Sequence, residues 1–596
     1  MTEQQGIVET TELKEYNSVK GAVWKLREGD ERQVLAISQK LEIPEILAKM
    51  LYVRGVSLEH AEAFLSPTLK TSMPDPFHLL DMDKAANRLA DAVEKGEEIA
   101  VFGDYDVDGA TSSSLLKRYF REIGNEPIIY IPDRMKEGYG PNTDALLYLK
   151  EHGVDICVTV DCGTMSFEPL AAAKEAGLEV VVIDHHLSAE TLPEAVAVVN
   201  PNRLDETSDQ KHLAAVGVCF LLAVAVNKTL RQRGWFNERK EPDLLNLLDI
   251  VALGTVCDVV PLKGVNRAFV SQGIKIMRSR HNAGLAALAD IAKVDESPST
   301  YHLGFMMGPR INAGGRVGQS DLGARLLSTE DVDEAYDISM KLDNFNQERR
   351  AIEGMVLESA VSQIEKAGVD RPVLFAKGEG WHPGVVGIVA SRVTERFNRP
   401  SAIISIKDGM GKASARSVTG IDFGSAIVSA NQEGLLVAGG GHAMAAGFTV
   451  EEGKIDAMYD FLCKRFEENI DECAVKQIKA DGFLSIDAAT IELTDMIKRV
   501  EPFGTSNPEP RFIFNDVYVI HADIVGADHI KCIFGTDHSG NMGKTIKGMA
   551  FRSLETPLGK ALLNSRGKTI AVAARVKLNS WRGVDSVELL IDDVAV

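Results

Sequence analysis

Between residues 84 and 183, helix-period and strand-period segments alternate with short connections. The helix AANRLADAVEKG leads into EEIAVFG, a helix from near Ala110, PIIYIP, a helix over 144–152, DICVTV, a helix around 167–176 and EVVVI. Few folds satisfy such a pattern, because parallel strands need helical crossovers and both faces of their sheet must be covered. The alternation therefore predicts an α/β unit with a parallel sheet, in which ligands collect beyond the carboxyl ends of the strands. Before it, IPEILAKMLYVRG and SLEHAEAFLSP predict a helical prelude over 1–80. After the first α/β unit (81–320), the charged stretch 321–368, poor in Gly and Pro, predicts a helical connector. A second α/β unit over 369–470 contains VLFA and SAIISI. The strands FIFNDVYVI, IKCIFG, KTIKGMAF, TIAVAARVKL and VELLI predict a β-barrel or sandwich over 475–596.

Composition narrows the classes. With 596 residues and 45% hydrophobic side chains the chain is long enough for several packed domains, and disorder is excluded as its main state. Seven cysteines without a CxxC pair argue against a disulfide framework and a zinc ribbon, and fit a reducing cytoplasm. The acidic, polar start MTEQQGIVETTELKEYNS has no export signal. The apolar run 213–226 is too short for a bilayer, which takes about 20 residues, and predicts a buried helix. A net charge of −21 opposes a polyanionic partner at long range. The charge is uneven, however: residues 371–420 carry eight basic side chains against three acidic ones.

The chemistry concentrates in carboxylates. Gly103-Asp104-Tyr105-Asp106-Val107-Asp108-Gly109 falls directly after IAVF and before a helix, placing three Asp residues at alternate positions on one tight loop. A calcium loop would need a Glu at its twelfth position, which is Leu115. A bare phosphate loop would be repelled by three carboxylates. Asp161 follows DICVTV, Asp184-His185-His186 follows EVVVI, and Asp258 ends LLDIVALGTVC. Neighbouring parallel strands lie about 4.8 Å apart, so these side chains converge on one sheet edge. Hard oxygen ligands with one or two imidazoles select Mn²⁺ or Mg²⁺, and so acidic a cluster implies two ions. Cys162 and Cys257 read as small buried neighbours. An extended backbone through His185 and His186 would point the two rings in opposite directions and give them different roles. The reaction class is metal-assisted phosphoester or phosphoanhydride hydrolysis.

GDYDVDG, VTVDCG, VVVIDHH and GTVCDVVPL together resemble the four successive motifs of the DHH phosphoesterase superfamily, and GGGH at 439–442 resembles its DHHA1 domain. Within the superfamily the chain is most similar to the bacterial single-strand-specific exonucleases, through GPRINAGGRVG, WHPGVVGIVASR, KASARSVTG and EPFGTSNPEPRF as well. The resemblance implies a parallel-sheet DHH domain and a smaller α/β DHHA1 domain joined by a long helix, followed by an OB-like barrel. It implies 5′-to-3′ degradation of single-stranded DNA to mononucleotides in recombination and repair, with Mn²⁺ or Mg²⁺. Asp104, Asp106, Asp108, Asp161, His185 and Asp258 become the metal ligands, and Asp184 and His186 become supporting or phosphate-contacting groups. Two positions depart from the family pattern: Cys257 stands where Ala is usual, and Ser506 where Gly is usual.

Candidate phosphate-binding groups lie in the second half of the chain. Arg310, Asn312 and Arg316 supply donors amid glycines that permit close backbone approach. Ser414 and Arg416 can grip a phosphate, and Gly439, Gly440, Gly441 and His442 offer N–H groups ahead of an Ala-rich run read as helical. Trp381 and His382 are candidates to stack on a base. The expected partners are single-stranded DNA, a single-stranded-DNA-binding protein and a helicase, with a monomeric chain and no membrane. The alternatives are a small-substrate phosphatase or oligoribonuclease of the same superfamily, which the extra β domain disfavours, and a non-catalytic DNA-binding replication scaffold, which the full carboxylate set disfavours.

Overall fold

The computed structural model describes residues 10–13, 15–134, 136–473, 475–536, 544–581 and 584–596. The chain forms two compact units. One comprises residues 66–349 and 501–508; the other comprises the residues up to 65, 350–500 and 509–596.

The first unit is built on a five-stranded parallel sheet in the order Ile128–Tyr130, Ile99–Gly103, Ile156–Val160, Glu179–Ile183, Ala197–Val199. The two central strands Ile99–Gly103 and Ile156–Val160 are buried along their whole length, which explains their unbroken apolar sequences. Register then fixes the site: Gly103 lies opposite Val160, and Val160 opposite Ile183. Asp104, Asp161 and Asp184 are therefore the next residues on three adjacent strands. The short last strand, Ala197–Val199, was not foreseen; its Val199 carbonyl accepts the Asp184 N–H at 3.1 Å. Helix Ala215–Gln232 contains most of the apolar run 213–226, and 78% of it is buried inside the protein. Among the described residues it is the one helix long and apolar enough to cross a membrane.

In the second unit a mixed sheet runs Ala438–His442, Ala445–Glu451, Met410–Arg416, Ser401–Lys407, Leu374–Glu379. This corrects the reading of GGGHAMAAGF. The Ala-rich segment is a strand and not a helix, with Ala446, Phe448 and Val450 turned inward at period 2, and the glycines form the exposed edge strand beside it. No helix N-terminus stands there. The connector is helical as expected, through Leu322–Ser328 and the 36-residue helix Val332–Ala367.

The C-terminal strands Phe512–Val525, His529–Gly535, Thr545–Ala550, Val584–Ala595 and Thr569–Trp581 pair in that order, and the last pairs back to the first, closing a barrel. The prelude is not purely helical. Thr10–Leu13 and Val23–Arg27 are strands, and the latter pairs in parallel with Gln477–Ala480. Fully buried Trp24 donates its indole N–H to Asp593 at 2.9 Å, and Arg27 and Arg54 both pair with buried Asp481. Val23–Arg27 was hidden because one of its two partners, Gln477–Ala480, lies far along the chain.

Candidate metal centre

The GDYDVDG segment does not keep its three carboxylates on one loop. Asp106 caps helix Val107–Glu122, accepting the N–H groups of Asp108 (2.8 Å) and Gly109 (3.1 Å). Asp108 lies in the first turn of that helix. Its carboxylate accepts the N–H groups of Ala215 (2.6 Å) and Val216 (2.9 Å), and so caps the neighbouring helix Ala215–Gln232. A Cβ on Gly109 would stand 2.3 Å from the Asp104 carbonyl oxygen, so only glycine permits this turn. Asp161 occupies the left-handed region at φ 60°, a strain that Asp tolerates better than most residues. Asp258 comes from the carboxyl end of helix Leu248–Cys257, not of a strand.

These residues converge. His185 Nε2 stands 3.3 Å from Asp161 Oδ1, 3.6 Å from Asp258 Oδ2 and 3.9 Å from Asp108 Oδ2. Its Nδ1 lies 3.1 Å from the Leu213 carbonyl. That acceptor places the proton on Nδ1 and leaves the Nε2 lone pair facing the carboxylates, as in a metal-ligating imidazole. Ligand atoms of Asp104, Asp106 and Asp161 lie within 4.8 Å of one another; so do those of Asp108, His185 and Asp258, and those of Asp161, His185 and His186. Asp184 is placed otherwise. It accepts the N–H groups of Thr164 (3.0 Å), His185 (2.7 Å) and His186 (3.2 Å), with His186 Nδ1 at 2.8 Å. The two histidine rings do not point apart: their centroids are 4.6 Å apart, because the strand stops at Ile183 and Asp184 gathers the next two amides.

Burial and mutual repulsion dominate the electrostatics. Burial, then the charge of Asp106, push Asp104 up to about 8 and Asp108 up to about 7. Asp258 is pushed up to about 9 by burial and by Asp108 and Asp106, and Asp161 is held well above the carboxylate range by the same causes. Burial also raises Asp184, but the hydrogen bond and charge of His186 outweigh it and hold that carboxyl below its usual range. Burial holds His185 down to about 4, which keeps it neutral, whereas Asp184 raises His186 against its own burial. Asp104 Oδ1, Asp161 Oδ1 and Asp258 Oδ2 are buried and accept no hydrogen bond. Unsatisfied carboxylate oxygens are costly inside a protein. Hard cations satisfy them and remove the repulsion, so the residues fit a pair of Mn²⁺ or Mg²⁺ ions.

Three further residues border the cluster. The Tyr139 hydroxyl donates to the Asp161 carbonyl at 3.1 Å and lies 3.3 Å from His186 Nδ1; Arg134 stands over the Tyr105 ring, 4.9 Å from its centroid. The rule that found Asp104 could have found Tyr139 and Arg134, since PDRMKEGYGPN follows the strand Ile128–Tyr130 at the same sheet edge. GPRINAGGR forms helix Gly308–Val317. Within it Arg310 is engaged by Asp343 at 2.8 Å and Asn312 is half-buried. Arg316 is held down to about 10 by burial and by the guanidinium groups of Arg134 and Arg349. The helix packs closely: a Cβ on Gly315 would meet the Tyr105 carbonyl oxygen at 2.7 Å, and one on Gly308 would meet Cys257 Sγ at 2.4 Å.

In the other unit, Ser414 and Arg416 share one face of strand Met410–Arg416, over Gly387. Arg416 donates to the Ala415 carbonyl, and burial alone lowers its pKa. Gly439, Gly440, Gly441 and His442 lie exposed on the edge strand. Trp381 packs over Gly378 among buried apolar side chains, and His382 caps helix Pro383–Phe397 through the Gly384 N–H. The positive balance of 371–420 is reduced by ion pairs of Arg392, Arg396 and Lys377 with Glu353, Glu365 and Asp456.

Comparison with known proteins places this geometry. Residues 98–255 match the DHH family, N-terminal domain; residues 370–468 match the DHHA1 domain; residues 480–593 match the RecJ OB domain. The single-stranded-DNA-specific exonuclease RecJ of Salmonella typhimurium is 35% identical over 581 residues, spanning 95% of this chain and 98% of that protein. The crystal structure of RecJ in complex with Mn²⁺ from Thermus thermophilus superposes with a TM-score of 0.80 at 28% identity, covering 96% of this chain and 79% of that one. The corresponding complex with Mg²⁺ gives a TM-score of 0.75 at 26% identity, covering 96% and 78%.

Proposed function

Because the chain belongs to the RecJ family of DHH phosphoesterases, we propose that it degrades single-stranded DNA from the 5′ end to mononucleotides by two-metal-ion hydrolysis. It is a metal-dependent exonuclease specific for single-stranded DNA, working with Mn²⁺ or Mg²⁺. The observation that carries the reaction class is the set of buried, donorless oxygens of Asp104, Asp161 and Asp258, the last two facing His185 Nε2 at 3.3 and 3.6 Å.

Asp104, Asp106, Asp108, Asp161, His185 and Asp258 hold the cations. When bound, the pair activates water at neutral pH and neutralises charge on the phosphoryl oxygens. Asp184 acts through its neighbours: it fixes the backbone of both histidines, and against burial its hydrogen bond and charge favour the protonated form of His186, which faces the phosphodiester. Arg316, crowded by Arg134 and Arg349 next to Asp106, supports a role in binding the terminal phosphate, with Arg310 and Asn312 on the same helix. Ser414 and Arg416 grip a phosphate of the DNA, supported by the half-buried Arg416 whose lowered pKa reflects burial alone. Gly439, Gly440, Gly441 and His442 present exposed backbone for contact with DNA. The work belongs to recombination and repair in the cytoplasm, a setting that fits seven free cysteines. A helicase and a single-stranded-DNA-binding protein would supply the unpaired strand, and the chain acts as a monomer.

The test uses single- and double-stranded oligonucleotides labelled separately at the 5′ and 3′ ends, with Mn²⁺, Mg²⁺ or chelator. Single strands should be lost as mononucleotides from the 5′ end only, with metal only. Attack from the 3′ end, or turnover in chelator, would overturn the reading.

A further inference from the structure

Asp258 is held differently from Asp106 and Asp108. Asp106 and Asp108 each accept two backbone N–H groups, whereas the Asp258 Oδ2 accepts none. Its position depends on the turn that carries it. That turn leaves helix Leu248–Cys257 through Val259 at φ 62° and is fastened at its far end, where the Leu262 N–H donates to the Thr505 carbonyl at 2.9 Å. The Pro261 carbonyl accepts Asn266 Nδ2 at 3.1 Å. The same Nδ2 donates to the His212 carbonyl at 2.6 Å, one residue before Leu213, whose carbonyl orients His185. One buried amide thus ties the turn that follows Asp258 to the segment whose carbonyl orients His185.

Behind it, buried Arg267 donates to the carbonyls of Glu501 (2.6 Å) and Pro502 (3.4 Å), and Asn507 Nδ2 donates to Pro502 at 2.7 Å. Gly504 and Asn507 exchange N–H···O bonds at 3.0 Å each, closing the segment into a compact loop. A Cβ on Gly504 would stand 2.7 Å from Leu262 Cδ1. Residues 501–508 pack within the compact unit of the metal centre, although the residues on either side in sequence belong to the other unit.

We propose that segment 501–508, Asn266 and Arg267 form a frame that positions Asp258 and His185 for cation binding, making Asn266 and Arg267 positioning residues of the reaction. This rests on the metal-dependent exonuclease reading above. Ser506, where the family pattern has Gly, sits in the frame at φ 64°, so glycine is the residue its backbone favours.

The test is a titration of metal-free protein with Mn²⁺, following free Mn²⁺ by electron paramagnetic resonance, alongside cleavage kinetics and circular dichroism. Asn266→Ala should weaken the binding of at least one Mn²⁺ by about 10- to 100-fold, the range for residues that orient metal ligands. Its kcat at low Mn²⁺ should fall in parallel, KM for the oligonucleotide should hold, and excess Mn²⁺ should restore turnover. Asn507→Ala should move in the same direction and decides the matter if Asn266→Ala fails to fold. Ser506→Gly should keep wild-type Mn²⁺ affinity. Wild-type Mn²⁺ affinity in folded Asn266→Ala and Asn507→Ala, or a change confined to KM, overturns the frame. Wild-type protein that binds Mn²⁺ but cuts no single strand overturns the exonuclease reading instead, and the titration still judges the frame.

Discussion

Replacing Asp161 with Ala should abolish turnover while leaving single-strand binding in place. Asp161 belongs to two of the three clusters of ligand atoms, one with Asp104 and Asp106 and one with His185 and His186. It is thus the carboxylate best placed to serve both cations. Its neighbours cannot replace it: Asp184 is committed to backbone amides, and Asp108 to the helix Ala215–Gln232. The loss should reach about 10³-fold or more in kcat, equivalent to about 4 kcal/mol of transition-state stabilisation. Asp161→Asn is the cleaner variant, because Asn tolerates the left-handed backbone at φ 60° whereas Ala adds strain of about 1 kcal/mol or more. Cleavage of a 5′-labelled single strand measures the first effect and fluorescence anisotropy with the same strand the second. Normal nucleotide release by either variant would defeat the assignment of Asp161.

The second large effect concerns pH and metal removal. Without cations, Asp104, Asp108 and Asp258 hold their protons up to about 8, 7 and 9, whereas in the unfolded chain they ionise near about 3.9. Between those values the folded protein binds more protons than the unfolded one, so stability falls as pH rises. The contribution is whole below about pH 4 and is lost progressively as pH passes through the folded values up to about 9. Two groups act in the opposite sense: Asp184, held low, whose contribution is lost only as pH falls below the ordinary carboxylate range, and His185, held down to about 4, whose contribution is complete above about pH 6.5 and offsets part of the fall at the acid end of the window. Metal-free protein should therefore lose about 5–10 °C in Tm between about pH 5.5 and 8.5, given a few °C per kcal/mol in a unit of this size. Mn²⁺ should restore more stability at the alkaline end than at the acid end. Scanning calorimetry at several pH values checks this, and a metal-free Tm that is flat or rising over the range would count against the repulsive cluster.

The parts of the site readable in the sequence were those fixed by one local rule. Asp104, Asp161 and Asp184 are strand-end residues, and the register of three parallel strands places them side by side. Asp258 was harder, because it reaches the cluster from a helix end, where strand periodicity carries no information. The orientation of the two histidines was missed because it follows from the hydrogen bonds Asp184 makes to the residues after it, and not from the pleat of the strand. GGGHAMAAGF was misread because Ala and Gly favour helix or turn in isolation, while burial of Ala446, Phe448 and Val450 decides for a strand. The strand Val23–Arg27 was invisible because its partner, Gln477–Ala480, is contributed from far along the chain. The long apolar helix and the barrel strands were legible, since each declares its own period within a few residues. Net charge proved a poor guide: many acids lie in ion pairs or in the cluster itself, where cations reverse their effect on phosphate.

The most direct test of the metal centre is to count ions. Wild-type protein stripped with chelator and dialysed against Mn²⁺ should retain two ions per chain by elemental analysis, and Asp161→Asn should retain fewer while keeping its fold by circular dichroism. A wild-type chain that cleaves single-stranded DNA with one bound ion, or an Asp161→Asn chain that retains the full wild-type complement, would contradict the two-cation site.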